Sequence, residues 1–155
     1  MADLTYNIES GILKGKIAGH HICASAGSGG RSGSKVKGAV NRLLANNSLA
    51  THIGGPGSRM FGPLPQGTYF LQLHESKANW IRLIPSAGNE MFGRTGFAIH
   101  GRGNIGSHGC IVPEDFHVVL YLCKLLKENK EAKHGDVTLK VYAEGTEIGT
   151  QLYTV

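Results

Sequence analysis

The sequence predicts a mainly β domain of the α+β kind, carrying one long helix. Three observations predict it. Short apolar or alternating runs recur along the chain, each bounded by turn residues. Glycine supplies 23 of 155 residues, roughly twice the usual share, with no collagen period, so it marks turns, bulges and loops. The strongest helical spacing runs from Phe116 to about Lys130, with Phe116, Val119, Leu120, Cys123 and Leu126 on one stripe. A length of 155 suits a single domain over 1–155, and neither an internal repeat nor a linker divides it.

The elements follow in order. Leu4 to Ile8 and Ile12 to Ile17 bracket Glu9-Ser10-Gly11 and predict two strands around a turn. Residues 25 to 34 are nearly all small and predict a loop or a backbone-lined surface. Val36 to Leu49 places Val36, Val40, Leu43 and Leu44 on one face, which predicts a modest helix. Gly54 to Pro65 is turn-rich and leads into a strand over Thr68 to Leu73. Further strands are expected at Trp80 to Ile84 and Phe97 to Ile99. Pro113 suits the first helical position, followed by Glu114 and Asp115 where acids favour a helix start. Val137 to Tyr142 alternates as a strand, and Ile148 to Val155 would complete a hairpin.

Charge and composition exclude several classes. Lys and Arg outnumber the acids by 16 to 11, for a net charge of +5, which suits an anionic or polymeric partner. No basic run exceeds two residues, which argues against nucleic acid. No apolar run approaches 18 residues, so no membrane span is expected. Met1-Ala2-Asp3-Leu4-Thr5 has neither a basic head nor an apolar core, so no signal peptide is expected either. Three cysteines make no disulfide scaffold. Cys123 belongs to the helix stripe and reads as core, as do Cys23 and Trp80.

The segment from Phe97 to Pro113 carries the chemistry. Cys110 sits between an expected strand and an expected helix, with His100 ten residues earlier and His108 two before it. A cysteine nucleophile reacts as thiolate, so it needs a lowered pKa or a nearby base. An imidazole supplies one, and the dipole of a following helix would help. Gly106 and Gly109 let backbone N–H groups approach an oxyanion. Gly101-Arg102-Gly103-Asn104-Ile105-Gly106 matches the dinucleotide fingerprint formally, but the expected helix starts seven residues later. Zinc held by His21, Cys23, His108 and Cys110 is a competing use of the same residues, although the spacing fits no standard knuckle. An inert buried cysteine is the bland alternative, and it suits these polar, glycine-rich flanks poorly.

Ser107-His108-Gly109-Cys110, with His100-Gly101 upstream, resembles the signature of the YkuD-type L,D-transpeptidases. The short His-to-Cys gap, together with the runs from Gly62 to Tyr69 and from Met91 to Phe97, is most similar to the type VI secretion L,D-transpeptidase effectors. The resemblance covers residues 60 to 113 well and the remainder loosely. It implies an L,D-transpeptidase-like β-sandwich with the long helix after the catalytic cysteine loop. It also implies an acyl-enzyme mechanism on peptidoglycan stem peptides, without metal or cofactor. Cys110 would attack the carbonyl between meso-diaminopimelate and terminal D-alanine, with His100 as base. Water as acceptor gives L,D-carboxypeptidase activity, and a D-amino acid gives exchange. Ser107 and His108 would orient the base or bind the substrate carbonyl, and the Gly109 and Cys110 N–H groups would hold the oxyanion.

The sequence departs from the family's pattern at Ile111-Val112, where a polar residue often follows the cysteine. Carboxylate binding then falls to Arg94 or Arg102, beside Gly101. Residues 34 to 57 resemble an insertion. The resemblance further implies action in a target bacterium's periplasm, a secretion apparatus and a cognate immunity protein. A cell-wall cysteine endopeptidase and a non-catalytic zinc- or peptidoglycan-binding module are the alternatives.

Overall fold

The computed structural model describes residues 2–30, 43–55, 58, 60–101 and 107–144. The described elements are β1 (Leu4–Asn7), β2 (Ile12–Ile17), β3 (His20–Ser28), a single 3-10 turn (Ser48–Ala50), β4 (Gly67–Leu73), β5 (Ile81–Pro85), β6 (Ala98–Ile99), β7 (Ile111–Pro113), α1 (Phe116–Glu131) and β8 (Val137–Tyr142). The mainly β expectation holds. The β-sandwich does not, because the strands form one closed barrel in the order β1-β2-β3-β7-β6-β5-β4-β8. Closure comes from β1 running parallel to β8, from Leu4 opposite Leu139 to Asn7 opposite Tyr142.

Each long strand buries alternate residues, as a period of two requires. Leu4 and Tyr6, Ile22 and Ala26, Tyr69 and Leu71, Ile81 and Leu83, and Val137, Leu139 and Val141 all enter one core. Bulky side chains fill such an eight-stranded interior. Tyr6 is wholly buried and meets its polar need by donating to the Ala26 carbonyl at 2.9 Å and accepting from Asn46 Nδ2 at 2.8 Å. Among the described residues no helix is long and apolar enough to cross a membrane.

Several local expectations are corrected. The stretch expected to begin a loop at residue 25 is the second half of β3, paired with β2 and then, from Ala26 to Ser28, with β7. Small residues allow these strands to approach closely, which composition alone reads as a loop. Of the helix expected over 36–49, residues 36–42 lie outside the described residues. The remainder holds turns and the 3-10 turn, capped by the Asn47 side chain accepting from the Leu49 N–H. Pro113 ends β7 instead of starting the helix, and Asp115 caps α1 by accepting from the His117 N–H at 2.9 Å. The helix faces the core with Val119, Leu122, Cys123, Leu125 and Leu126, while Phe116 and Leu120 are exposed. Cys23 is exposed on β3 rather than buried. The expected hairpin at 148–155 lies outside the described residues.

Candidate active site

Strands β5, β6 and β7 place Ile81, Ile99 and Ile111 in one row, all buried in the core. Residues one step away point to the opposite face. In the antiparallel β5–β6 register Arg82 meets Ala98, so Trp80 falls opposite His100. In the parallel β6–β7 register Ile99 meets Ile111, which sets Cys110 beside Ala98 and His100 beside Val112. His100 and Cys110 therefore share a face of neighbouring strands, two residues out of step. A strand spacing of about 4.8 Å and a rise of about 3.3 Å per residue put their Cα atoms about 8 Å apart. Diagonal neighbours at that separation are within reach of an aromatic side chain.

The geometry sets the state of each partner. His100 Nδ1 lies 2.9 Å from the Gly101 carbonyl oxygen. A carbonyl only accepts, so Nδ1 carries the proton and Nε2 presents the lone pair of a base. The ring also stacks on Trp80, with centroids 4.2 Å apart and planes inclined by 3°. Cys110 is only 7% exposed, and burial holds its thiol above the ordinary value. A backbone hydrogen bond at Ala98 and the charges of Arg94 and Lys77 act in the opposite direction without cancelling burial. The dipole of α1 is not spent on the thiol. The helix begins beyond β7, and the Asp115 carboxylate already caps it.

The resting group is thus a thiol that must lose its proton during attack. In a Cys23→Ser background, alkylation of Cys110 by iodoacetamide is expected to keep accelerating as pH rises beyond the range in which an ordinary thiol ionises, because burial disfavours the thiolate. A rate already at its plateau at pH 6 would contradict this and indicate a preformed thiolate–imidazolium pair.

The backbone around Cys110 is pinned on its carbonyl side. Arg94 Nη2 donates to the His108 oxygen at 3.0 Å, Ser28 Oγ to the Gly109 oxygen at 2.8 Å, and Ser107 Oγ to the Cys110 oxygen at 2.8 Å. Ser28 Oγ also accepts from the Leu64 N–H and Ser107 Oγ from the Gly29 N–H, both at 2.9 Å. In a planar peptide the N–H points away from the C=O, so fixing the Gly109 oxygen aims the Cys110 N–H. The Gly109 N–H lies 3.3 Å from Ser107 Oγ and is partly engaged there. Gly109 has φ +112, and a Cβ on it would come within 2.6 Å of both Arg94 Nη2 and Phe97, so no other residue fits. At Gly101 a Cβ would come within 2.3 Å of the Phe116 ring, which seats the start of α1 beside His100.

Arg94 does not fit the carboxylate-binding role expected of it. It is 2% exposed, and its Nη atoms donate to the carbonyls of Thr51, Gly62, Pro63 and His108 at 2.6 to 3.0 Å. It ties loops together through both Nη atoms, and its one unpartnered donor, Nε, is buried away from any approaching anion. Arg102 lies outside the described residues. His108 is exposed, and its ring stacks on Phe61 with centroids 4.0 Å apart. Zinc ligation is not assembled among the described residues, where no three His, Cys, Asp or Glu side chains gather around a common point.

Sequence reasoning missed Ser28 and misassigned Trp80. Ser28 lay in an apparent loop, and Trp80 is half-buried against His100 rather than core. The signal for Trp80 existed in the register, since Trp80 and His100 are equidistant from the Ile81–Ile99 pair. No family model, curated protein or solved structure matches the chain.

Proposed function

We propose that the chain is an L,D-transpeptidase-like enzyme acting on peptidoglycan stem peptides through a Cys110 acyl-enzyme. The observation that carries this reading is the His100–Cys110 diagonal, with Nδ1 tied to the Gly101 carbonyl and Nε2 left to act as base. Cys110 Sγ attacks the carbonyl carbon of the bond between meso-diaminopimelate and D-alanine as His100 Nε2 takes the thiol proton. The Cys110 N–H, aimed by Ser28 through the Gly109 oxygen, supports the developing oxyanion. Collapse returns the proton to the departing D-alanine amine and leaves a thioester. Water then yields the shortened stem, or the amine of a free D-amino acid yields the exchanged one, and either restores the thiol.

As a secreted antibacterial effector, the protein meets this substrate only outside the cytoplasmic membrane. Cytoplasmic expression in a Gram-negative host is expected to be harmless, whereas the same chain with an added export signal causes rounding, swelling or lysis. Cys110→Ala cancels the effect. Equal toxicity in both compartments, or toxicity retained by Cys110→Ala, would mean a different target. The net charge of +5 favours approach to an anionic wall.

A further inference from the structure

The turn between β4 and β5 builds a column over the proposed base. His74 Nδ1 accepts from the Ser76 and Lys77 N–H groups at 3.1 and 2.8 Å, and the His74 N–H donates to the Trp80 oxygen at 2.9 Å. Arg82 Nη2 lies 3.2 Å from His74 Nε2 and pairs with Glu75. The turn so fixed carries Lys77 Nζ to 4.5 Å from the Trp80 ring centroid, and Trp80 lies flat on His100. Register explains the stack, because Trp80 and His100 are direct cross-strand neighbours, and such pairs support one another.

We propose that Trp80 is a positioning residue for His100, fixing the imidazole plane and stabilising the ring while it carries both protons. The proposal rests on the reading of His100 as the base. The physical reason is the negative face of the indole. It attracts a cation placed on it, so the stack strengthens as His100 accepts the Cys110 proton. The backbone contact to Gly101 fixes one edge of the ring, and the indole fixes its tilt. Together they fix the orientation of the imidazole and leave Nε2 outside both contacts. Among the described residues, the charged and titratable groups on the turn and β5 that build this column are Lys77, His74, Glu75 and Arg82, with Cys110 on the neighbouring strand side before β7.

Trp80 is the chain's single tryptophan, so the tryptophan emission reports on this residue's surroundings, which include the His100 ring and Lys77. An imidazolium quenches a stacked indole more strongly than neutral imidazole does. Wild-type emission is therefore expected to fall on acidification, as the stacked ring gains its second proton. His100→Gln abolishes that titration and His74→Gln keeps it. A titration that survives His100→Gln, or that disappears with His74→Gln, overturns the assignment.

A second readout separates positioning from mere support of the fold. In Trp80→Ala, kcat is expected to fall about tenfold with KM little changed. The acid limb of kcat/KM should move to lower pH by about half a unit, because the imidazolium has lost its partner. Trp80→Phe restores most of both. A reduced activity with an unmoved limb would assign Trp80 a purely structural role. The emission titration requires no substrate, so its failure counts against the stack itself. A normal titration in a protein inactive on stem peptides would instead overturn the reading of the site, and Trp80's role in catalysis with it.

Discussion

Cys110→Ser is expected to fold as wild type does and to lose at least about 10³-fold in turnover, because an alcohol is a far poorer nucleophile at neutral pH. The substitution replaces one small buried side chain by another and leaves the carbonyl pins from Arg94, Ser28 and Ser107 in place. Cys23→Ser, exposed on β3, retains full activity, and so does Cys123→Ala if its core position tolerates the smaller side chain. Circular dichroism and thermal melting check the fold, and stem-peptide turnover checks the chemistry. A Cys110→Ser protein with wild-type activity contradicts the nucleophile assignment, as does matching inactivation by a folded Cys23→Ser.

Arg94→Met is expected to unfold the domain or to lower its melting temperature steeply. A buried acceptor stripped of its donor costs about 1–3 kcal/mol, and this change strips four carbonyls at once. Partial rehydration reduces the sum, yet several kcal/mol remain against a total stability of about 5–15 kcal/mol. Arg94→Lys is expected to rescue little, because one ammonium cannot span the Thr51, Pro63, Gly62 and His108 oxygens as a planar fork does. A substrate-anchoring arginine behaves in the opposite way. Its loss raises KM and leaves the melting temperature unchanged, and that result would return Arg94 to the role its sequence context suggests.

This contrast shows what sequence could and could not carry. His100, Ser107, Gly109 and Cys110 are close in the chain, and the strand before His100 was legible from a short apolar run, whereas β7, which follows Cys110 directly, reads in the sequence as loop and helix start. The meaning of Arg94 was not legible either. A guanidinium binding a carboxylate and one binding four carbonyls look identical until residues 51, 62, 63 and 108 are brought together. Alternation identified most strands correctly, but it reports only that one face is buried. A sandwich and a barrel meet that condition equally well, and the choice depends on β1 reaching β8 across the whole chain. β3 escaped notice because Ala24 to Ser28 lacks bulky side chains, although the lack of bulk is what lets it pair with β7 beside the site. Pro113 misled for a local reason, since a proline ends a strand as readily as it starts a helix.

The central claim is that Cys110 and His100 form a nucleophile and base for acyl transfer on peptidoglycan stems. Digestion of purified muropeptides, read by mass spectrometry with wild type and Cys110→Ala side by side, tests it most directly. The account predicts that wild type removes one D-alanine from tetrapeptide stems, exchanges it when a free D-amino acid is supplied, and does neither as Cys110→Ala. Cleavage inside the stem would contradict the L,D-bond as target and favour an endopeptidase. Unchanged muropeptides with a folded wild-type protein, or D-alanine release undiminished in Cys110→Ala, would contradict the account altogether.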